Sequence, residues 1–121
     1  MLASPAPRSP VIVAERGHDV VGFVSVGPSR DPETTHDVGE LYAIYVDTAE
    51  WGRGVGRRLL AEAADAMRSD GFGEATLWVL DDNRRARRAY EASGWTLDGA
   101  TKEDTVLGDV RVTEVRYRRP L

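Results

Sequence analysis

The sequence predicts a mixed α/β fold, an α+β sheet with helices packed on it. Three observations predict it. Three runs rich in valine and isoleucine come first, two helical stretches then alternate with strands, and the chain closes on "VRVTEVRYRR" (110–119), which alternates residue by residue. No internal repeat or linker divides the chain. Residues 11–121 therefore read as one domain behind a proline-rich lead-in at 1–10.

Taken in order, "VIVAER" (11–16) and "VVGFVSV" (20–26) are strands joined by the turn "GHD", a hairpin. The polar, breaker-rich stretch 27–37 is a loop. "VGELYAIYV" (38–46) is a third strand, apolar enough for burial on both faces, with Glu40 inside it. After a glycine-rich turn, Val55, Leu59, Leu60, Ala63 and Met67 form one helical stripe, which "DGFG" (70–73) ends. "EATLWVL" (74–80) is the fourth strand. In "DDNRRARRAYEASG" (81–94), an Asp81, Asp82 or Asn83 cap opens a helix that presents Ala86, Ala89, Tyr90 and Ser93 on one face and stops at Gly94. "WTLDG" (95–99) reads as a short strand, 101–109 as a loop and 110–119 as a last strand whose exposed edge could pair in a homodimer.

Composition excludes several kinds of chemistry. A net charge of −4 argues against a general nucleic-acid binder. Without cysteine there is no thiolate nucleophile, disulfide or cysteine zinc site. His18 and His36 alone make an imidazole metal centre unexpected, so no metal is assigned. No apolar run approaches the ~20 residues of a membrane span, and the first ten residues lack a signal-peptide core. The expectation is a cytoplasmic protein with neither membrane nor nucleic-acid partner.

The turn Trp51–Gly52–Arg53–Gly54–Val55–Gly56–Arg57 joins a strand to a helix, where bare backbone N–H groups and the helix dipole favour an anion. It is not a P-loop, because Arg57 and Arg58 stand where Lys-Ser or Lys-Thr is needed. Nor is it a dinucleotide fingerprint. The spacing is Gly-x-Gly-x-Gly, and the only acid near the ribose-binding distance, Glu74, begins its strand instead of ending it. A pyrophosphate cradled on backbone amides remains, with Arg53, Arg57 and Arg58 able to add charge-assisted contacts.

"WGRGVG", preceded by "ELYAIYVDTAE" and followed by "NRRARRAYEASGW", resembles the GNAT superfamily of acyl-CoA-dependent N-acetyltransferases. The later motif, Asn83, Ala86, Tyr90, Gly94 and Trp95, matches in full. The coenzyme A loop matches at Gly54 and Gly56, with Trp51 where the family usually has Gln or Arg. The likeness covers 11–119. It implies a GNAT-like fold with acetyl-CoA as co-substrate, held by Trp51 to Arg57 around the pyrophosphate. It also implies that the backbone of Ile44, Tyr45 and Val46, together with Asn83, contacts the pantetheine arm. The family normally places a strand and two helices before the first hairpin, and these shape the acceptor groove. Here only ten residues precede it, so the fold reads as N-terminally shortened: a truncated form, a misplaced gene start, or a wall supplied by a partner.

The resemblance implies catalytic roles for two residues. Tyr90 would protonate the leaving thiolate. Glu40, a carboxylate in an apolar strand at a position where several members place a general base, would take the amine proton directly or through water. The implied reaction is direct attack of a small-molecule or peptide amine on acetyl-CoA. The alternative is a coenzyme A-binding module or partner subunit without turnover of its own. The arginines at 84, 85, 87 and 88 read as a solvated face.

Overall fold

The computed structural model describes residues 10–106 and 108–121. Of the expected lead-in, residues 1–9 lie outside the described residues, as does 107 of the expected 101–109 loop. The elements run β1 (Val11–Arg16), β2 (Asp19–Pro28), β3 (Val38–Val46), a 3-10 turn (Thr48–Glu50), α1 (Val55–Ser69), β4 (Glu74–Leu80), α2 (Arg84–Ala92), β5 (Thr96–Val106) and β6 (Val110–Pro120). They form a six-stranded sheet in the order β1-β2-β3-β4-β6-β5. Every neighbouring pair is antiparallel except β3 and β4, which are joined by the α1 crossover and run parallel.

The parallel pair is short, and that positions the site. β3 and β4 are in register only from Val38 opposite Glu74 to Glu40 opposite Thr76. Beyond Glu40 the two strands part, leaving one edge of β3 without a strand partner. A bulge in β3 adds to the departure. Ser25 pairs with Ala43 and Val26 with Leu41, so Tyr42 is the extra residue. The bulge flips the side-chain alternation. Before it, Leu41 is in the core and Glu40 faces away from α1; after it, Ile44 and Val46 pack against the core. Burial on both faces, expected for all of 38–46, therefore holds only for Val38–Leu41. The remainder alternates between partly buried and exposed.

α1 buries the expected stripe of Leu59, Leu60, Ala63 and Met67, adding Ala64, against β1–β4. Each fully buried leucine or methionine there stabilises the fold by about 1.5–3 kcal/mol. Both helices stop in the same way. In α2, Trp95 N–H donates to Tyr90 C=O at 3.0 Å, Gly94 N–H to Glu91 C=O at 3.3 Å, and Gly94 has φ 92°. In α1, Phe72, Gly71 (φ 95°), Met67 and Arg68 repeat the pattern. This pair of bonds needs a left-handed residue, which glycine adopts without strain, and it brings the residue after the glycine onto the last turn. Tyr90 and Trp95 accordingly meet edge-on, with ring centroids 6.5 Å apart.

Two expectations are corrected near the C-terminus. The short strand at 95–99 does not end there, because β5 continues to Val106. The register between β5 and β6 jumps between Leu97 and Thr101, so "DGA" (98–100) is a bulge and not a strand end. Asp98 Oδ1 accepts the Ala100 N–H at 3.0 Å to hold it. Because β5 pairs along its length with β6, the last strand lies between β4 and β5 and offers no free edge for dimerisation. The edges of the sheet are β1 and β5.

Candidate active site

Where β3 leaves β4, a cleft of about 510 Å³ opens between the end of β3, the glycine turn and α2. Ile44, Tyr45 and Val46 form one wall. Trp51, Gly52, Gly54, Val55, Gly56 and Arg57 form the base. Asn83, Arg85, Ala86, Ala89, Tyr90 and Ser93 form the facing wall.

The base is built for an anion. Gly54 caps α1 at φ 88°, a left-handed conformation that penalises any residue with a Cβ. No side chain caps the helix, and its first turn holds no acid. The first intrahelical bond is Arg58 N–H to Gly54 C=O at 3.0 Å. The N–H groups of Val55, Gly56 and Arg57 therefore have no partner within the helix, at the positive end of its dipole. Trp51 closes one side. Its Nε1–H donates to Val46 C=O at 3.1 Å, and the Arg85 guanidinium lies 3.9 Å over its ring, so the pair bridges the glycine turn and α2.

The facing wall presents one phenol. Tyr90 is buried, and burial raises its pKa. Its ring is packed between Trp95 and Tyr117, at 6.5 and 6.1 Å. Tyr117 Oη donates to Glu91 at 2.5 Å and accepts from Arg87 Nε at 2.9 Å, which ties β6 to α2. Asn83 caps α2, its side-chain oxygen accepting the Ala86 N–H at 3.2 Å. The spacing of Asn83, Ala86, Tyr90, Gly94 and Trp95 thus corresponds to the start and stop signals of one nine-residue helix.

Ten of the eleven expected cofactor residues line the cleft; Arg53 does not. Of the expected catalytic pair, Tyr90 lines it and Glu40 does not. Glu40 sits on the last paired rung of β3 and β4, buried on the face away from α1. Its carboxylate accepts the Arg30 backbone N–H at 2.8 Å and the Arg30 guanidinium at 3.2 Å. Burial of this acid was legible in the strand; its partner, ten residues earlier in a loop read only as polar, was not. Two further lining residues are Arg85, expected on a solvated face, and Glu50, which no motif in the sequence marks. Among the described residues, no group of acidic and histidine side chains forms a metal site, and no helix is long and apolar enough to cross a membrane.

Residues 2–95 match the model of the acetyltransferase (GNAT) family. The chain belongs to this family. An N-acetyltransferase of Bacillus subtilis, YuaI, is 42% identical over 69 residues, which are 57% of this chain and 39% of the relative. A mycothiol acetyltransferase of Sanguibacter keddieii is 37% identical over 86 residues, 70% of this chain and 27% of the relative. The chain thus spans well under half the length of either. The structure of yncA from Salmonella typhimurium, with its cofactor acetyl-CoA, superposes with a TM-score of 0.81 at 25% identity, covering 95% of this chain and 66% of that one.

Proposed function

We propose that this chain transfers an acetyl group from acetyl-CoA to a primary amine by direct attack. The observation that carries the reading is the uncapped start of α1, where unpartnered N–H groups of Val55, Gly56 and Arg57 open into a cleft that also holds Tyr90. The pyrophosphate binds these amides, with Arg57 adding charge. The pantetheine arm follows the free edge of β3 at Ile44–Val46, and the side-chain nitrogen of Asn83 reaches it from α2. The β3 amides polarise the thioester carbonyl. The amine attacks this carbon, the C–S bond breaks, and Tyr90 gives its proton to the departing sulfur. Glu40, at the head of the gap, receives the amine proton through water. The acceptor is a small molecule or a peptide amine.

The test is thiol release from acetyl-CoA in the presence of a panel of small amines and peptide N-termini. Amine-dependent release is expected. Tight acetyl-CoA binding with no release for any acceptor would instead favour a binding module without turnover, a reading to which the Arg30 cap on Glu40 lends support.

Gly54→Ala tests the cradle. Forcing a Cβ into the left-handed region costs about 1–2 kcal/mol, and relaxing the turn to avoid it swings the Val55 and Gly56 amides off the anion. Coenzyme A is expected to bind ~10-fold more weakly by calorimetry, with the fold retained by circular dichroism. Unchanged affinity would remove the turn from the site.

A further inference from the structure

An anion cleft should hold no carboxylate, yet Glu50 lines this one. Its side chain is 7% exposed and stands one residue before Trp51. Arg16, the last residue of β1, grips it from outside. Nε lies 3.2 and 3.0 Å from the two carboxylate oxygens, and the terminal nitrogen lies 2.8 Å from Oε1. The guanidinium side chain is itself 58% exposed, so the positive charge approaches from solvent and meets the acid at the cleft wall. The backbone of Glu50 is equally engaged. Its N–H donates to Asp47 C=O at 2.8 Å, and its C=O accepts the Arg53 N–H at 3.2 Å, so the 3-10 turn and the glycine turn both hang on this residue.

We propose that Arg16 is a positioning residue for the phosphate cradle: it neutralises the Glu50 carboxylate, so that a residue whose backbone holds the glycine turn does not repel the anion the turn binds. The inference rests on the reading of the cleft as a coenzyme A site. The hydrogen bond and charge of Arg16 keep Glu50 ionised, its pKa lowered despite its burial. Remove Arg16, and the negative charge beside a bound pyrophosphate loses its hydrogen-bonded counterion. Arg53, the other cation that favours the ionised Glu50, contributes least and does not line the cleft.

The experiment is calorimetric titration of coenzyme A into the wild-type chain, Arg16→Gln, Glu50→Gln and the double variant, at low and high salt. Arg16→Gln is expected to bind ~10-fold more weakly, a repulsion of two charges at roughly 10 Å in an effective dielectric near 20, and the deficit shrinks as salt rises. Glu50→Gln alone keeps the backbone bonds to Asp47 and Arg53 and loses only the repelling charge, so it binds at least as tightly as wild type. The double variant recovers to within roughly threefold of wild type, because the carboxylate that repelled is gone. A purely mechanical tether predicts the opposite: the double variant stays as weak as Arg16→Gln, and Glu50→Gln is weakened too. Either result overturns the proposal. If Arg16→Gln fails to fold, Glu50→Gln decides alone, since weakened binding there is incompatible with charge neutralisation. Wild-type chain that binds no coenzyme A overturns the cleft reading and this inference with it. Wild-type binding with an unaffected Arg16→Gln overturns the inference alone.

Discussion

Tyr90→Phe is expected to slow amine-dependent thiol release ~10²-fold while leaving coenzyme A affinity within about twofold of wild type, the usual loss when a general acid is deleted. The expectation rests on the separation of two jobs held by one side chain. The ring of Tyr90 is structural: it packs against Trp95 and Tyr117 and closes the last turn of α2. Phenylalanine keeps all of that, so thermal stability should change little. The hydroxyl is the part the packing does not need, and it is carried on a residue lining the cleft. Burial raises its pKa above the ordinary value for a tyrosine, so it remains protonated, as a proton donor must, throughout the neutral range. It follows that no loss of rate below about pH 10 should trace to Tyr90. A wild-type rate for Tyr90→Phe would withdraw the residue from the mechanism; a loss of affinity equal to the loss of rate would make it a binding residue instead.

The same helix shows why much of the cleft lining could be read from the sequence. Asn83, Ala86, Tyr90, Gly94 and Trp95 are local signals, a cap and a glycine stop, and their spacing is fixed by one helix whatever surrounds it. The glycine turn is equally local, which is why its residues fall together at the base of the cleft. What the sequence hid was tertiary. Tyr42 sits in an unbroken apolar run and gives no sign of a bulge, because the extra residue is defined only by the register against β2. "DGA" at 98–100 carries the composition of a turn, and only the partner strand β6 turns it into a bulge inside β5. A β5 that ended at 99 would leave most of β6 as an edge, and only the pairing beyond the bulge makes β6 internal. The charges were hidden for the same reason. Glu40 and Arg30, Glu50 and Arg16, and Arg116 with its carboxylates are pairs of distant residues that no periodicity connects.

Arg116→Leu is expected to destabilise the fold by ~3 kcal/mol at pH 7, the scale seen when one partner of a buried ion pair is removed, read as a lower urea midpoint with unchanged slope. Arg116 is 8% exposed and reaches three carboxylates: Glu33 at 2.6 Å, Asp98 at 2.7 Å and Asp31 at 3.1 Å. The shorter, uncharged leucine would leave the Asp31 and Asp98 side chains, 12% and 14% exposed, without their shared counterion, Asp31 keeping the Trp78 indole N–H and Asp98 the Ala100 N–H and the Arg118 guanidinium. The pH dependence fixes the mechanism. Burial alone would raise the pKa of Asp98, but the Ala100 N–H, Arg116 and Arg118 outweigh it, and the folded value lies below the ordinary one. A carboxyl with a depressed folded pKa adds stability above its unfolded value near 4 and loses it as pH falls through the folded value. The wild-type chain should therefore lose stability on acidification below about pH 4, where the variant, lacking the guanidinium, has little left to lose. The gap between the two should close there, and Asp98→Asn in the Arg116→Leu background should recover part of it at pH 7. The consequence for function follows from position. Asp31 and Glu33 tie the 29–37 loop to Arg116, and that loop carries the Arg30 that caps Glu40. An Arg116 variant that remains folded should loosen this cap, so its thiol-release rate should change while coenzyme A affinity, which the proposed cradle at the start of α1 would set, should not. A gap that persists undiminished at acid pH would mean the arginine acts by packing alone.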